Sequence, residues 1–356
     1  MKLNKDYINE KKLDVTRKFL YSNCPKYVIG TNNYALKIAQ NIKINGFVDE
    51  FTKMDNFFNF PVIHSLEEIP DNAIVVSTVI GKPISMEKKS LKYQFDYVDY
   101  FSFYKYSDLK IPNVMFWNGV KKDIEKNFIK YKKIYKLLKD KISKNQFFNI
   151  INFRYSYDID YIRGFANIED KQYFEKFLNL ESEIFVDIGG YTGDTVLRYI
   201  EHDKNYKKIY FFEPIKYNFI KAKKNLKNFE NIIFFNIGLS DKKSILKMTF
   251  NGSSSKICDN GDYTIKVDTL DNVIDKKITF IKMDVEGEEL AILRGAKNLI
   301  KKHHPKMAIC VYHKPEHFWQ IPEFILSIRE DYEVYFRHYT EGISESVMYF
   351  VPRRDK

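Results

Sequence analysis

Cysteine is scarce in this 356-residue chain: Cys24, Cys258 and Cys310 are odd in number, far apart and never in a C-x-x-C pair. That excludes a disulfide framework and points to a reducing compartment. Long apolar runs are missing too. None approaches the roughly 18 residues of a membrane-crossing helix, and the opening MKLNKDYINEKKLDV alternates charged and apolar residues without the apolar centre of a secretion signal. The expectation is a soluble, cytoplasmic protein with no membrane insertion. There is also no discrete basic tail, although the formal net charge is +11, because lysine is spread evenly and interleaved with Asp and Glu. Such a balance suits an anionic partner, yet it reads equally as a compositional bias that leaves solvated Lys-rich faces.

What is present centres on FVDIGGYTGDT, Phe185 to Thr195. Ile184, Phe185, Val186 and Ile188 read as a buried strand that breaks at Gly189-Gly190 and turns at Gly193 into a helix near Asp194-Thr195. Glycine frees the dihedrals and removes the Cβ, so that backbone N–H groups can approach a ligand, while Asp187 sets a carboxylate at the strand's end. The spacing is D-x-G-x-x-x-G, not G-x-G-x-x-G. A carboxylate beside the turn repels a pyrophosphate and suits the ammonium of S-adenosylmethionine; the next strand, IYFFEP, ends in Glu213, which would accept ribose hydroxyls. The competing reading is an ordinary nucleotide site in which Asp187 only caps the turn.

The chain is long enough for two cores. Residues 1–122 read as an N-terminal Rossmann-like α/β module: an amphipathic helix to about residue 22 with Leu3, Tyr7, Leu13, Phe19 and Leu20 on one face, then KYVIG, a helix, GFVDE and NAIVVST. GTNNYA carries one glycine and is a poor dinucleotide fingerprint. This module reads either as a recognition unit, for example for a nucleotide-linked sugar, or as a packing and homo-oligomerisation unit. Residues 123–170 read as a helical linker, with one long helix ending by Asn145 and its stripe at Phe128, Tyr131, Ile134, Leu137, Leu138 and Ile142; its lysines read as a solvated face rather than an RNA surface. Arg154, Tyr155, Tyr157, Arg163, Gln172 and Tyr173 are candidates for one cleft wall.

From residue 171 to 356 strands alternate with helices, which predicts a doubly wound, mainly parallel sheet with an antiparallel edge strand. ITFIKMD ends in Asp284 and is followed by the helix VEGEELAILRGAKNLIKK; KMAICVYH is a strand ending in His313. The stretch SILKMTF looks antiparallel, and NGSSSKICDNGDY (Asn251 to Tyr263) is a candidate cover for substrate.

Taken together, FVDIGGYTGDT, FFEP, LSD, IKMDVEGEELAILRGA, VYHKPE and RHY…ES resemble the FkbM family of S-adenosylmethionine-dependent methyltransferases, over about residues 172–352. The resemblance implies a class I methyltransferase domain that O-methylates a hydroxyl of a sugar or nucleotide-linked sugar, in a setting such as surface polysaccharide synthesis. It places Asp187, Gly189, Gly190, Thr192, Gly193, Asp194 and Thr195 around the methionine portion of the cofactor and Glu213 on the ribose. Pro214 and Asn218 would border the adenosine, and Ile237, Gly238, Ser240 and Asp241 the adenine. Gly190-Tyr191 departs from the family's usual pair.

Ligands of open α/β sheets bind at the carboxyl ends of strands, which singles out Asp284, Glu286 and His313 for catalysis. His313 is the first choice for general base, with Asp284 orienting it or binding the acceptor; alternatively the three hold a divalent metal ion. Glu288 and Glu289 read as structural first-turn carboxylates. His303, His304 and His317 read as solvated, and His338 as a weak site candidate. A nucleic-acid methyltransferase is the alternative class, but the (D/N)PP(Y/F/W) motif is missing, which makes a nucleic-acid partner unlikely on sequence grounds. A non-catalytic module of the same fold is the other.

Overall fold

The computed structural model describes residues 1–5, 7–249, 256, 257, 261 and 263–353. Two compact units divide the chain: Met1–Lys126, Phe148–Asn167 and Thr340–Ser344 form unit 1, and Asn127–Phe147, Ile168–Tyr339 and Glu345–Lys356 form unit 2. The segment read as a linker over 123–170 is thus shared between them.

In unit 1, α1 (Glu10–Tyr21) starts at an Asn9 cap whose side chain accepts from the Lys12 N–H, later than the sequence suggested. Its buried face carries Lys12, Val15, Thr16 and Phe19 in place of Leu13 and Leu20. Lys12 is tolerated there because Glu87 and Asp99 lie 2.6 and 3.1 Å from its ammonium. Then follow β1 (Lys26–Ile29), α2 (Asn33–Asn41), β2 (Gly46–Val48), β3 (Asn56–Phe57), β4 (Phe60–Ile63), β5 (Ile74–Ser77), α3 (Pro83–Ser90), β6 (Asp96–Asp99) and α4 (Tyr100–Tyr106). The sheet order is β3-β4-β2-β1-β5-β6, parallel except for β3. Val28, Phe47, Val75 and Val76 are wholly buried, as continuous apolar strands covered on both faces require.

The expected single long helix is two, α5 (Val120–Leu137), kinked at Asn127, and α6 (Lys141–Ser156). The chain breaks where Leu138 bridges to Val334 and the Lys139 N–H donates to the Val334 carbonyl at 2.8 Å. That break leaves Leu137 and Ile142 exposed while Tyr131, Ile134 and Leu138 are buried.

Unit 2 continues with β7 (Ile184–Ile188), α7 (Asp194–His202), β8 (Lys208–Phe212), α8 (Lys216–Asn225) and β9 (Ile232–Phe235). A four-stranded sheet, β10-β13-β11-β12, comes from β10 (Gly238–Leu239), β11 (Ser244–Thr249), β12 (Lys256–Ile257) and β13 (Tyr263–Asp268), and β11 is antiparallel as expected. The remaining elements are α9 (Leu270–Val273), β14 (Phe280–Met283), α10 (Glu289–Arg294), α11 (Lys297–His303), β15 (Lys306–Cys310), α12 (His317–Ile328), β16 (Tyr332–His338) and β17 (Ser346–Pro352).

The main sheet runs β16-β17-β15-β14-β7-β8-β9. It is the expected doubly wound, mainly parallel α/β sheet, with one refinement: β17, antiparallel to both neighbours, lies one place inside the edge because it inserts between β15 and β16. The helix predicted over VEGEELAILRGAKNLIKK is divided at Gly295, where a Cβ would lie 2.1 Å from the Ser240 carbonyl oxygen. The candidate cover Asn251 to Tyr263 lies almost wholly outside the described residues.

Candidate active site

The glycine turn is built differently from its sequence reading. Gly189 has φ 77°, and a Cβ there would lie 1.9 Å from the Asp284 carbonyl oxygen; one on Gly190 would lie 2.1 Å from the Phe211 ring. Absent side chains here let the turn close on β8 and on the residue after β14, so they serve packing before any ligand. Tyr191 follows at φ 49°, a left-handed conformation uncommon for a residue with a side chain, and its N–H donates to Glu213 at 3.0 Å. Gly193, at φ 83°, opens α7.

Asp187 is wholly buried beneath this turn, 3.0 Å from the Lys282 ammonium, and Lys282 also donates to the Gly189 carbonyl at 2.9 Å. Burial pushes the Asp187 carboxyl up, against the pull of Lys282. Burial opposes charge on Lys282 too, but the Asp187 and Asp284 carboxylates outweigh it and raise its pKa. The carboxylate read as a partner for a ligand's ammonium is therefore engaged inside the protein. The signal for Lys282 was a lysine inside the apolar strand FIKM, which in a sheet covered on both faces demands a counter-charge.

Glu213, just past β8, is buried and its carboxyl is pushed up to about 7 by burial, against N–H donors from Ile215 and Tyr191 and the Asn218 side chain. Asn218 is itself buried, and Asn236 donates to the Glu213 and Pro214 carbonyls. Gly238 packs near Pro214 and Val267, and the Ser240 N–H donates to the Asp268 carbonyl at 2.9 Å. Thr192 and Thr195 are buried, Ile237 is half-buried, and Asp194 and Asp241 are exposed. A carboxylate has about four acceptor positions, so Glu213 retains capacity beyond its three partners, and the site suits a ribose-bearing ligand.

At the carboxyl ends of β14 and β15 the structure brings Asp284, Glu286 and His313 together. His313 lies in the loop beyond β15, its Nε2 3.5 Å from Asp284 and 3.8 Å from Glu286. Its Nδ1 lies 2.7 Å from Glu289, whose other oxygen is 3.1 Å from His317. Glu289 and His317, read as structural and solvated, are thus buried members of the cluster, because both fall on apolar helix faces: Glu289 with Ile292 and Leu293, and His317 with Ile321 and Ile325. A polar residue at a core position of an amphipathic stripe was the available signal.

Burial alone would lower the His313 pKa, but the Glu289, Asp284 and Glu286 carboxylates raise it to about 9. Glu289 is held well below the carboxylate range by His313 and His317, despite burial. Burial pushes Glu286 up to about 7, helped by Asp284 and Glu289 and opposed by His313. Glu286 also sits at φ 55°.

Around Asp284, Tyr173 donates a hydrogen bond at 3.0 Å, Cys310 lies 3.3 Å from the Tyr173 hydroxyl, and Gln172 donates to Glu345. Burial and the Asp284 charge push Glu345 up to about 7. Arg154, Tyr155, Tyr157 and Arg163, proposed for the same wall, belong to unit 1, where they bond to Phe116, Glu125, Asn113 and Asp160 respectively. His338 is buried against Ser346, 2.8 Å away, in the β16–β17 pair. Among the described residues, donor atoms within 4.8 Å of one another come from Asp284, Glu289 and His313, and from Asp284, Cys310 and Glu345; Glu289 stands where Glu286 was expected.

Residues 187–339 match the model of the methyltransferase FkbM domain. Among solved structures, the methyltransferase FkbM of Methylobacillus flagellatus is similar over 96% of this chain and 94% of its own, with a TM-score of 0.77 and 21% identity. At that identity the likeness establishes the fold. A slighter likeness is to an rRNA methylase of Clostridium thermocellum, with a TM-score of 0.35 and 10% identity over 56% of this chain and 94% of that one. Aeropyrum pernix fibrillarin in complex with S-adenosylmethionine has a TM-score of 0.33 and 10% identity over 52% of this chain and 73% of that one. The curated proteins give no match. The glycine turn, the acid after β8 and the clustered carboxylates and histidines thus lie within or beside the stretch, residues 187–339, that matches the methyltransferase FkbM domain model.

Proposed function

We propose that the protein transfers a methyl group from S-adenosylmethionine to a hydroxyl of a sugar or nucleotide-linked sugar, in a pathway such as surface polysaccharide assembly. The observation that supports this reading best is the buried His313–Glu289–His317 cluster facing Asp284 and Glu286 beside the glycine turn. When bound, the cofactor supplies an electrophilic methyl group on a sulfonium. Glu213 and Asn218 would hold its ribose portion, and the turn from Gly189 to Gly193 would border its methionine portion.

A hydroxyl acceptor must lose a proton as its oxygen is methylated. With its pKa raised to about 9, His313 keeps its own proton at neutral pH, so the base role moves to Glu286, poised near 7. Asp284 would accept a hydrogen bond from a neighbouring hydroxyl of the acceptor, and the His313 cation, held by Glu289, would stabilise negative charge developing on the reacting oxygen. A second arrangement is favoured by the converging donors of Asp284, Glu289 and His313: two carboxylates and an imidazole fit a divalent ion, which would lower the hydroxyl pKa.

The test is methyl transfer from labelled S-adenosylmethionine to a panel of nucleotide-linked sugars, with and without EDTA, followed across pH. The expected product is an O-methyl sugar, formed at a rate that rises through about pH 7 as Glu286 ionises and falls through about pH 9 as His313 loses its proton. These are apparent values of a coupled cluster. A rate that keeps climbing to pH 9 would restore His313 as the base, and loss of activity in EDTA would select the metal. Label appearing only in RNA would overturn the carbohydrate reading.

A further inference from the structure

Unit 1 contains an open cavity of ≈ 530 Å³ that the methyl-transfer reading does not use. We infer that it is a second binding site, for a nucleoside diphosphate. Its position is set by topology: from β1 the chain moves to β2 on one side, whereas β5 and then β6 lie on the other, so the winding reverses between β1 and β5. The cavity is lined by Ile29 and Gly30 after β1, Asp49 after β2 and Thr78 after β5, all at carboxyl ends of parallel strands. Ligands of open α/β sheets bind at such a reversal, in cavities of this size.

The turn after β1 is constructed rather than loose. Gly30 has φ 104°, and a Cβ there would lie 2.6 Å from the Thr78 Oγ1. Thr78 donates to the Ile29 carbonyl at 2.7 Å and receives the Asn32 amide at 3.0 Å, while the Asn32 carbonyl caps the Ala35 N–H at the start of α2. Asp49 is fixed by the Thr31 hydroxyl at 2.5 Å, the Thr31 N–H at 3.2 Å and the Phe51 N–H at 3.1 Å.

Three features select the ligand. Val48, Leu66, Ile80 and Met86 give apolar walls for a flat base. Asp49, half-buried at the end of β2, retains acceptor capacity for a sugar hydroxyl. The nine-residue α2 starts on the rim, and Lys82, at the start of α3, also lines the cavity. Helix dipole and ammonium together favour phosphate. Lys89, also on the lining, is held by Glu50, which leaves Lys82 as the principal cation for the phosphates.

The proposal stands on unit 1 and does not rest on the methyl-transfer reading. The experiment is calorimetric titration of the full chain with UDP, GDP and ADP, each with and without saturating S-adenosylhomocysteine. One of the three is expected to bind at one site per chain, with an affinity that S-adenosylhomocysteine leaves within about 2-fold. Lys82→Glu should weaken it by roughly 10-fold or more, since a charge-assisted hydrogen bond is lost and repulsion added. Gly30→Val should abolish it. Because Gly30→Val risks misfolding, hydrogen exchange on the wild-type chain supplies a second readout: the nucleotide should protect residues around 30–36, 49–51 and 78–82. Competition with S-adenosylhomocysteine, protection confined to 185–241, an unchanged affinity in Lys82→Glu, or no binding of any of the three overturns it.

Discussion

Both units place a glycine turn after the first strand of a parallel sheet, yet the chemistry at the two carboxyl ends differs. In unit 2 that end is crowded with buried ionisable groups: Asp187 on Lys282, Glu289 between His313 and His317, and Glu213 and Glu286 shifted up to about 7. In unit 1 it holds Thr31, Asn32 and Thr78, neutral side chains that fix the turn, with Asp49 half-buried beside an open cavity. Neutral donors around a cavity suit recognition, whereas buried charges that set one another's proton affinity suit reaction. The contrast lies in where charge is buried: unit 1 buries Asp99, at the end of β6, with Lys12 and Glu87, and none of the three lines its cavity.

The strongest way to break this contrast is His313→Ala. Turnover should fall on the order of 10² to 10³, the usual weight of a group that stabilises developing negative charge, with S-adenosylmethionine affinity retained by calorimetry; undiminished turnover would make the cluster as inert as the unit 1 turn. Next is Lys282→Ala, which leaves Asp187 buried without its counter-charge and should cost about 3–5 kcal/mol in urea unfolding. The double change Asp187→Leu with Lys282→Met should recover much of that stability, and failure to recover would show that the pair does more than neutralise itself. Glu213→Ala should weaken S-adenosylmethionine by roughly 10- to 150-fold, as loss of a charged hydrogen-bonding group does; an unchanged affinity would remove the ribose assignment. The smallest effect belongs to unit 1. Asn32→Ala removes the α2 cap and should lower stability by about 1 kcal/mol, with cofactor affinity unaltered.

Much of this was readable from residue patterns. Alternation of apolar strands and amphipathic helices gave the doubly wound sheet, and residues at strand ends pointed to Asp284, Glu286 and His313, which do converge. What sequence could not show is which partner a buried charge finds. Asp187 looked open to a ligand because its neighbour Lys282 lies 95 positions along the chain but directly opposite in register. Glu289 looked like a helix-start carboxylate because its tie to His313 depends on how α10 and the loop after β15 meet. The break at residues 138–140 was hidden for the same reason: local spacing continued a helix that a contact with Val334 interrupts.

The pairing of Asp187 with Lys282 has a consequence for how the sheet assembles. The two residues are directly opposed on β7 and β14, each inside an apolar strand. Apolar side chains tolerate a sliding strand, since valine beside isoleucine costs much the same one position further on. A slip of one residue here would turn both charges to opposite faces and strand each in hydrocarbon, at a cost of several kcal/mol. The ion pair therefore acts as an alignment key: it admits one registration of the two central strands, and with it one placement of the turn above Asp187 and of Asp284 beyond β14.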